Sequence, residues 1–170
     1  MLFRSPVPIV IVQHMPPGFT QSLAAQLDQA CPLRVLEAPQ GHTPLAGEVL
    51  IAPGGMHLEL ARDANGTVHT RFSEAPPVHS CRPSVDVLFE TAARCGFRGA
   101  VSLILTGMGT DGADGVRALR DAIPLWCIVQ NAATCAVYGM PQAVVQAGLE
   151  DECLPLAEIA PRLNRLFRVP

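Results

Sequence analysis

At 170 residues the chain fits one domain, and with 49% hydrophobic residues it can fill a sizeable core. A formal net charge of −3 leaves no basic surface for nucleic acid or anionic lipid, and the apolar runs are strand-sized and broken by proline or charge, which excludes membrane insertion. Charged residues make up only 16%, low for a free-standing domain, so some apolar surface is expected to lie against another domain.

In chain order, PIVIVQ over 8–13 is a continuous apolar run bounded by proline and polar residues, the pattern of a strand buried on both faces. After MPPG, the 3.6-residue spacing of Phe19, Leu23 and Leu27 predicts an amphipathic helix over 19–30. Short strands are expected at 33–38, 48–53, 57–61 and 67–72. Turns rich in Gly, Asn and Pro separate them, and they suggest a hairpin or meander inserted between βα units. Ser84, following Arg-Pro, is placed to cap a helix over 85–95 that presents Val85, Leu88, Phe89 and Ala92 on one face. A buried strand at 100–106, a helix at 112–122, a strand at 125–131 and helices at 140–149 and 156–167 complete the chain, the last with a kink expected at Pro161.

This alternation predicts an α/β fold of three layers. A mainly parallel central sheet carries helices on both faces in a Rossmann-like manner, with a small antiparallel β insertion near 48–72. In such folds chemistry gathers at the carboxyl ends of the strands. His14 ends the first strand, and Asp111 sits in the glycine-rich turn that follows the strand at 100–106. A histidine can take a proton from a weak nucleophile, and a carboxylate on its other ring nitrogen fixes the tautomer and stabilises the imidazolium. The alternative roles are structural: His14 satisfying a turn, and Asp111 capping the helix that begins near Gly112.

The turn also satisfies a G-x-G-x-x-G spacing at Gly107, Gly109 and Gly112. A dinucleotide reading fails on two counts. Asp111 would stand where a pyrophosphate must sit, and Gln130 and Asn131 occupy the place of the ribose-binding acid expected about 20 residues on. Weaker candidates are His57, at the start of a strand near the sheet end, and Arg82, in a proline-rich loop where its guanidinium could receive a substrate carboxylate or brace the loop. His42, His69 and His79 read as surface residues. The six cysteines show neither C-x-x-C pairs nor Cys/His ligand spacing, so they read as reduced thiols of a cytoplasmic protein, with no metal site and no cofactor.

VQHMPPGFTQSLAAQL, GEVLIAPGGMHLEL, CRPSVDVLFE, LILTGMGTDGADGVRAL and QNAATCAVYGMPQAVVQAGL, in that order, resemble the catalytic domain of the chemotaxis receptor methylesterases, the CheB family, from about residue 6 to 163. The resemblance implies hydrolysis of glutamyl methyl esters on the cytoplasmic helices of methyl-accepting chemoreceptors, with deamidation of selected glutamines as a related activity, by a Ser-His-Asp triad. It implies His14 as general base, Asp111 as its orienting acid and Met108 as the residue whose backbone N–H helps hold the oxyanion.

The family's nucleophile, in a GASTGG-like turn ahead of the histidine strand, has no counterpart here. Ser5 precedes the first strand, and a rise of about 3.3 Å per residue sets it far from His14. Ser84 fits a helix cap, Ser102 lies inside a strand, and Ser22, Ser73 and Ser80 lack a supporting turn. The expectation is therefore a single methylesterase-like domain over 1–170, incomplete at its N-terminus, without a receiver domain and inactive as it stands. Its first strand would expose an edge that a second copy or a partner covers. The alternative is a noncatalytic relative that docks on receptors.

Overall fold

The computed structural model describes residues 5–167. Its strands are β1 (Ile9–Ile11), β2 (Arg34–Glu37), β3 (Glu48–Ile51), β4 (His57–Arg62), β5 (Val68–Ser73), β6 (Ala100–Ile104), β7 (Leu125–Gln130) and β8 (Glu152–Leu154). Its helices are α1 (Phe19–Ala30), α2 (Val85–Ala93), α3 (Ala113–Ala122), α4 (Gly139–Gln146) and α5 (Leu156–Leu166).

The α/β architecture expected from the alternation is present, with parallel pairing in the order β1-β3-β2 and again in the order β6-β7-β8. Strands β4 and β5 pair antiparallel, from His57 against Ser73 to Arg62 against Val68. The insertion is thus narrower than 48–72: β3 lies inside the parallel sheet, in register with β1 from Ile9–Val49 to Ile11–Ile51. Its four residues are all buried, as a strand with a neighbour on each side requires. β8 was not expected from the sequence. Three residues carry too little periodicity to announce a strand, and Glu-Cys-Leu becomes one only because β7 offers it an edge.

Two further expectations are corrected by packing. PIVIVQ was read as buried on both faces, yet β1 is three residues long and only half buried, because one of its edges has no neighbour among the described residues. Helix α1 forms over the expected span, but its buried residues are Thr20 and Ala24, while Phe19 is 60% exposed. Ala24 packs with Val35, Val49 and Ile51, where a small side chain lets the helix approach the sheet. The Thr20 hydroxyl, buried beside it, accepts a hydrogen bond from the Gly54 amide at 3.0 Å.

Two larger clusters complete the core. Leu50, Leu58, Leu60 and Leu88 join the β1–β3 half to the hairpin and α2, while Val85, Ile104, Val116, Val129 and Val144 hold the β6–β8 half. Helices α2 and α3 pack closely together. Between the two half-sheets runs a groove of about 630 Å³, lined by Val7 and Val10 on one side, Val101 and Ser102 on the other, and Leu88 and Phe89 of α2.

Candidate active site

His14 and Asp111 belong to different half-sheets and meet where both strand ends open onto the same rim. β1 delivers His14 into a Met-Pro-Pro turn that lies directly over Gly54, where a Cβ would come within 2.5 Å of the Pro16 backbone. That turn can settle only because position 54 has no side chain. The Asp111 loop is fixed from behind by α4 and β7. Met140 N–H donates to the Gly107 carbonyl at 2.9 Å, Gly107 N–H to the Val137 carbonyl at 3.0 Å, and Thr106 N–H to Gln130 Oε1 at 2.9 Å.

The two residues are joined by a 2.7 Å contact between His14 Nε2 and Asp111 Oδ2, with Asp111 buried and the imidazole about one quarter exposed. Asp111 accepts three further hydrogen bonds, from Ser84 Oγ (2.7 Å), Val85 N–H (2.8 Å) and Asp86 N–H (3.1 Å). Burial opposes its ionisation, but the bonds from His14, Ser84, Val85 and Asp86 together outweigh it and bring the carboxyl down to about 2. Asp111 is therefore a carboxylate at neutral pH. It holds Nε2 and leaves Nδ1 as the ring nitrogen open to a nucleophile.

This arrangement revises the capping roles. Ser84 occupies the N-cap position of α2, yet its hydroxyl makes no capping bond and instead donates to Asp111. Asp111, whose alternative role was to cap α3, supplies the acceptor for the first amides of α2. Asp86, in the first turn of α2, does the converse: its Oδ1 accepts from Gly112 N–H at 2.9 Å and Gly115 N–H at 2.7 Å, at the start of α3. Burial raises the Asp86 carboxyl to about 6; the Gly115 and Gly112 hydrogen bonds and the His79 charge hold it back, while repulsion from Asp111 adds to the rise. His79 Nε2 stands 3.3 Å from Asp86 Oδ2.

The remaining candidates separate clearly. Met108 lies in the same turn as Asp111 and is 80% exposed. His57 is a correction: it is fully buried, with Nε2 on the Pro76 carbonyl at 3.2 Å, and does not reach the rim. Arg82 donates from Nη1 to the Glu74 and Ala75 carbonyls at 3.0 and 3.2 Å, so its guanidinium braces the loop on backbone oxygens.

Sequence reasoning missed Asp86, His79 and Cys81. The cysteine was read with five others as a scattered thiol, but Cys81, Asp111 and His14 bring ligand atoms within 4.8 Å of one another. Burial and the Asp111 charge push its thiol pKa up, which keeps it protonated. Each Asp111 oxygen already accepts two hydrogen bonds, and Cys81 Sγ donates to the His79 carbonyl at 3.5 Å. The only signal for these partners was their place in the HSCRPSVD stretch at 79–86, which nothing in the sequence ties to the loop at 107–112.

Among the described residues no serine hydroxyl bonds to the His14 ring. Ser5 Oγ donates to the Val7 carbonyl, Ser22 Oγ to the Gly18 carbonyl and Ser84 Oγ to Asp111, while Ser102 is buried in β6.

The CheB methylesterase family model matches residues 2–163. The chain belongs to the CheB methylesterase family. It is 47% identical over 160 residues to the protein-glutamate methylesterase/protein-glutamine glutaminase of Symbiobacterium thermophilum, covering 94% of this chain and 43% of that one. The protein of the same name from Salmonella typhimurium is 44% identical over 155 residues, covering 91% of this chain and 44% of its own. The chain thus spans less than half the length of these curated relatives. The crystal structure of the Thermotoga maritima CheB methylesterase catalytic domain superposes with a TM-score of 0.90 at 40% identity, covering 95% of this chain and 85% of that one. The CheB fold expected from the five motifs is therefore the fold observed.

Proposed function

We propose that this domain works in a protein-glutamate methylesterase that hydrolyses glutamyl methyl esters, and deamidates glutamines, on the cytoplasmic helices of methyl-accepting chemoreceptors. The observation that carries the reading is the His14–Asp111 contact at 2.7 Å, with the carboxylate buried and kept ionised by four donors. A histidine held in this way has one free nitrogen and a stabilised cationic form, as a general base needs.

In the proposed reaction His14 Nδ1 takes the proton of a serine hydroxyl as its oxygen attacks the ester carbonyl. The Met108 N–H faces the oxygen on which negative charge develops, a contribution of about 2.7–4 kcal/mol for a single such donor. His14 returns the proton to the departing methanol, and water then cleaves the acyl-enzyme to glutamate by the same route. With a glutamine substrate, ammonia departs in place of methanol.

The serine is assigned to a segment ahead of β1. The groove between the half-sheets supports this assignment, since β1 and β6 turn edges toward it that have no strand partner among the described residues, and its lining is apolar. A strand laid there would end beside His14 at the same rim.

The test is direct. The in-frame DNA upstream of Met1 should encode a strand followed by a G-x-S-x-G-G-like turn. The extended polypeptide should release methanol from methylated receptor, and residues 1–170 alone should not. An upstream stop codon would leave a receptor-docking domain without catalysis. Robust turnover by residues 1–170 would place the nucleophile elsewhere.

A further inference from the structure

The exchange of carboxylates between α2 and α3 points to a residue outside the catalytic pair that sets its geometry. Asp111 stands just before α3 but accepts from the first amides of α2, whereas Asp86 stands in the first turn of α2 but accepts from Gly112 and Gly115 at the start of α3. Four orphan helix amides are satisfied by two acids, each belonging to the opposite chain segment.

We infer that Asp86 is a positioning residue for the His14–Asp111 pair: by holding Gly112 N–H and Gly115 N–H it fixes the backbone from which the Asp111 side chain reaches His14. This inference rests on the proposed function for its catalytic meaning, though not for its geometry.

Three observations make the lock specific to position 86. Gly112 follows Asp111 directly, so a bond to its amide leaves the Asp111 carboxylate little freedom to move. The same residue also donates its own N–H to Asp111 Oδ1 at 3.1 Å, so Asp86 grips the loop from both its backbone and its side chain. Finally, Gly115 lets the two helices close on this point: a Cβ there would lie 2.9 Å from the Asp86 Cα and 2.7 Å from the Phe89 Cβ. Among the described residues no other side chain accepts from the Gly112 and Gly115 amides.

Substitution separates the carboxylate's roles. Asp86→Ala removes both acceptor bonds. Asp86→Asn keeps an oxygen able to accept from both amides while discarding the charge. Asp86→Ser keeps a polar group too short to span them.

The closing experiment is proton NMR of residues 1–170 across a pH series, following the downfield Nε2–H resonance of the His14–Asp111 bond, assigned by its loss in His14→Ala. Asp86→Ala should lose or exchange-broaden that resonance while retaining native-like methyl dispersion, and Asp86→Asn should restore it. If Asp86→Ala does not fold, Asp86→Ser carries the same comparison. A folded Asp86→Ala or Asp86→Ser with an unchanged resonance would overturn the inference.

A second arm measures the extended polypeptide, where Asp86→Ala should lower kcat on the order of 10²-fold with KM unchanged, and Asp86→Asn should recover most of it. If the resonance responds and no esterase activity exists in the unsubstituted extended protein, the proposed function fails while the positioning role stands. If that protein is active and Asp86→Ala retains both kcat and the resonance, the positioning role fails while the proposed function stands.

Discussion

Replacing Asp111 by asparagine preserves shape and volume, so its cost reports the hydrogen-bond arrangement alone. Each carboxylate oxygen takes two donors: His14 Nε2–H and Val85 N–H on Oδ2, Ser84 O–H and Asp86 N–H on Oδ1. An amide turns one of these oxygens into a donor. If the NH2 group replaces Oδ2, the imidazole can change tautomer to accept from it, but the Val85 amide cannot. If it replaces Oδ1, the Ser84 hydroxyl can rotate, but the Asp86 amide cannot. Either orientation therefore leaves one buried N–H without an acceptor, at about 1–3 kcal/mol, and strips charge assistance from the bonds that survive.

The expected total for Asp111→Asn is a loss of about 2–4 kcal/mol, measured by urea unfolding of residues 1–170 at neutral pH. With a slope of about 2 kcal/mol/M the midpoint falls by about 1–2 M. The loss also depends on pH with a definite sign. The Asp111 carboxyl is lowered from 3.8 to about 2 in the fold, so its ionic contribution is present above 3.8 and disappears as pH falls through about 2. The gap between the unsubstituted protein and Asp111→Asn should narrow accordingly. A change below about 0.5 kcal/mol at neutral pH, with an unchanged slope, would refute the four-donor account.

Asp86 titrates in the opposite sense: its carboxyl is raised from 3.8 to about 6, so its ionisation withdraws stability as pH rises across that window. Asp86→Asn should therefore gain roughly 2 kcal/mol relative to the unsubstituted protein between pH 4 and pH 7, and a difference flat with pH would remove Asp86 from the titration. Gly115→Ala should lower stability by about 1–2 kcal/mol by thermal or urea unfolding. The Cβ meets backbone of α2 at 2.9 Å, and overpacking of about 1–3 kcal/mol exceeds the gain of about 1 kcal/mol in helix propensity; a stabilised variant would show that α2 and α3 can separate freely. In the extended polypeptide, His14→Ala should reduce methanol release by orders of magnitude, and unchanged turnover would remove His14 from the mechanism. Residues 1–170 should enhance the fluorescence of an apolar dye through the groove of about 630 Å³, and fusion of the upstream segment should abolish that enhancement.

Much of this was legible in the chain because it depends on neighbours in sequence. The 19–30 helix, the strands at 100–106 and 125–131 and the turn at 107–112 follow from periodicity and glycine placement, and the two strands appear with ends shifted by a residue or two. The approach of His14 to Asp111 was legible as well, since both residues sit just past the ends of apolar strands, where α/β sheets collect their functional groups. Other features were not. The exposed Phe19 and buried Thr20 of α1 show that a helical stripe predicts a face only when side-chain size permits approach, and here Ala24 decided which side met the sheet. His57 looked like a rim residue because it opens a strand near a glycine turn, but the hairpin folds that end inward, against the Pro76 carbonyl.

By itself, then, the sequence determined the α/β class, the family and the two residues that form the pair, because hydrophobic period, turn chemistry and motif order are local properties of the chain. The tertiary structure alone decided which groups fix that pair. The distance from Asp111 to the α2 amides, and from Asp86 to those of α3, depends on how closely two helices pack across Gly115, and no spacing along the chain encodes it. Burial raises both acids, but the four donors on Asp111 outweigh it and bring that carboxyl to about 2 while Asp86 stands at about 6, although as free side chains the two would be chemically identical.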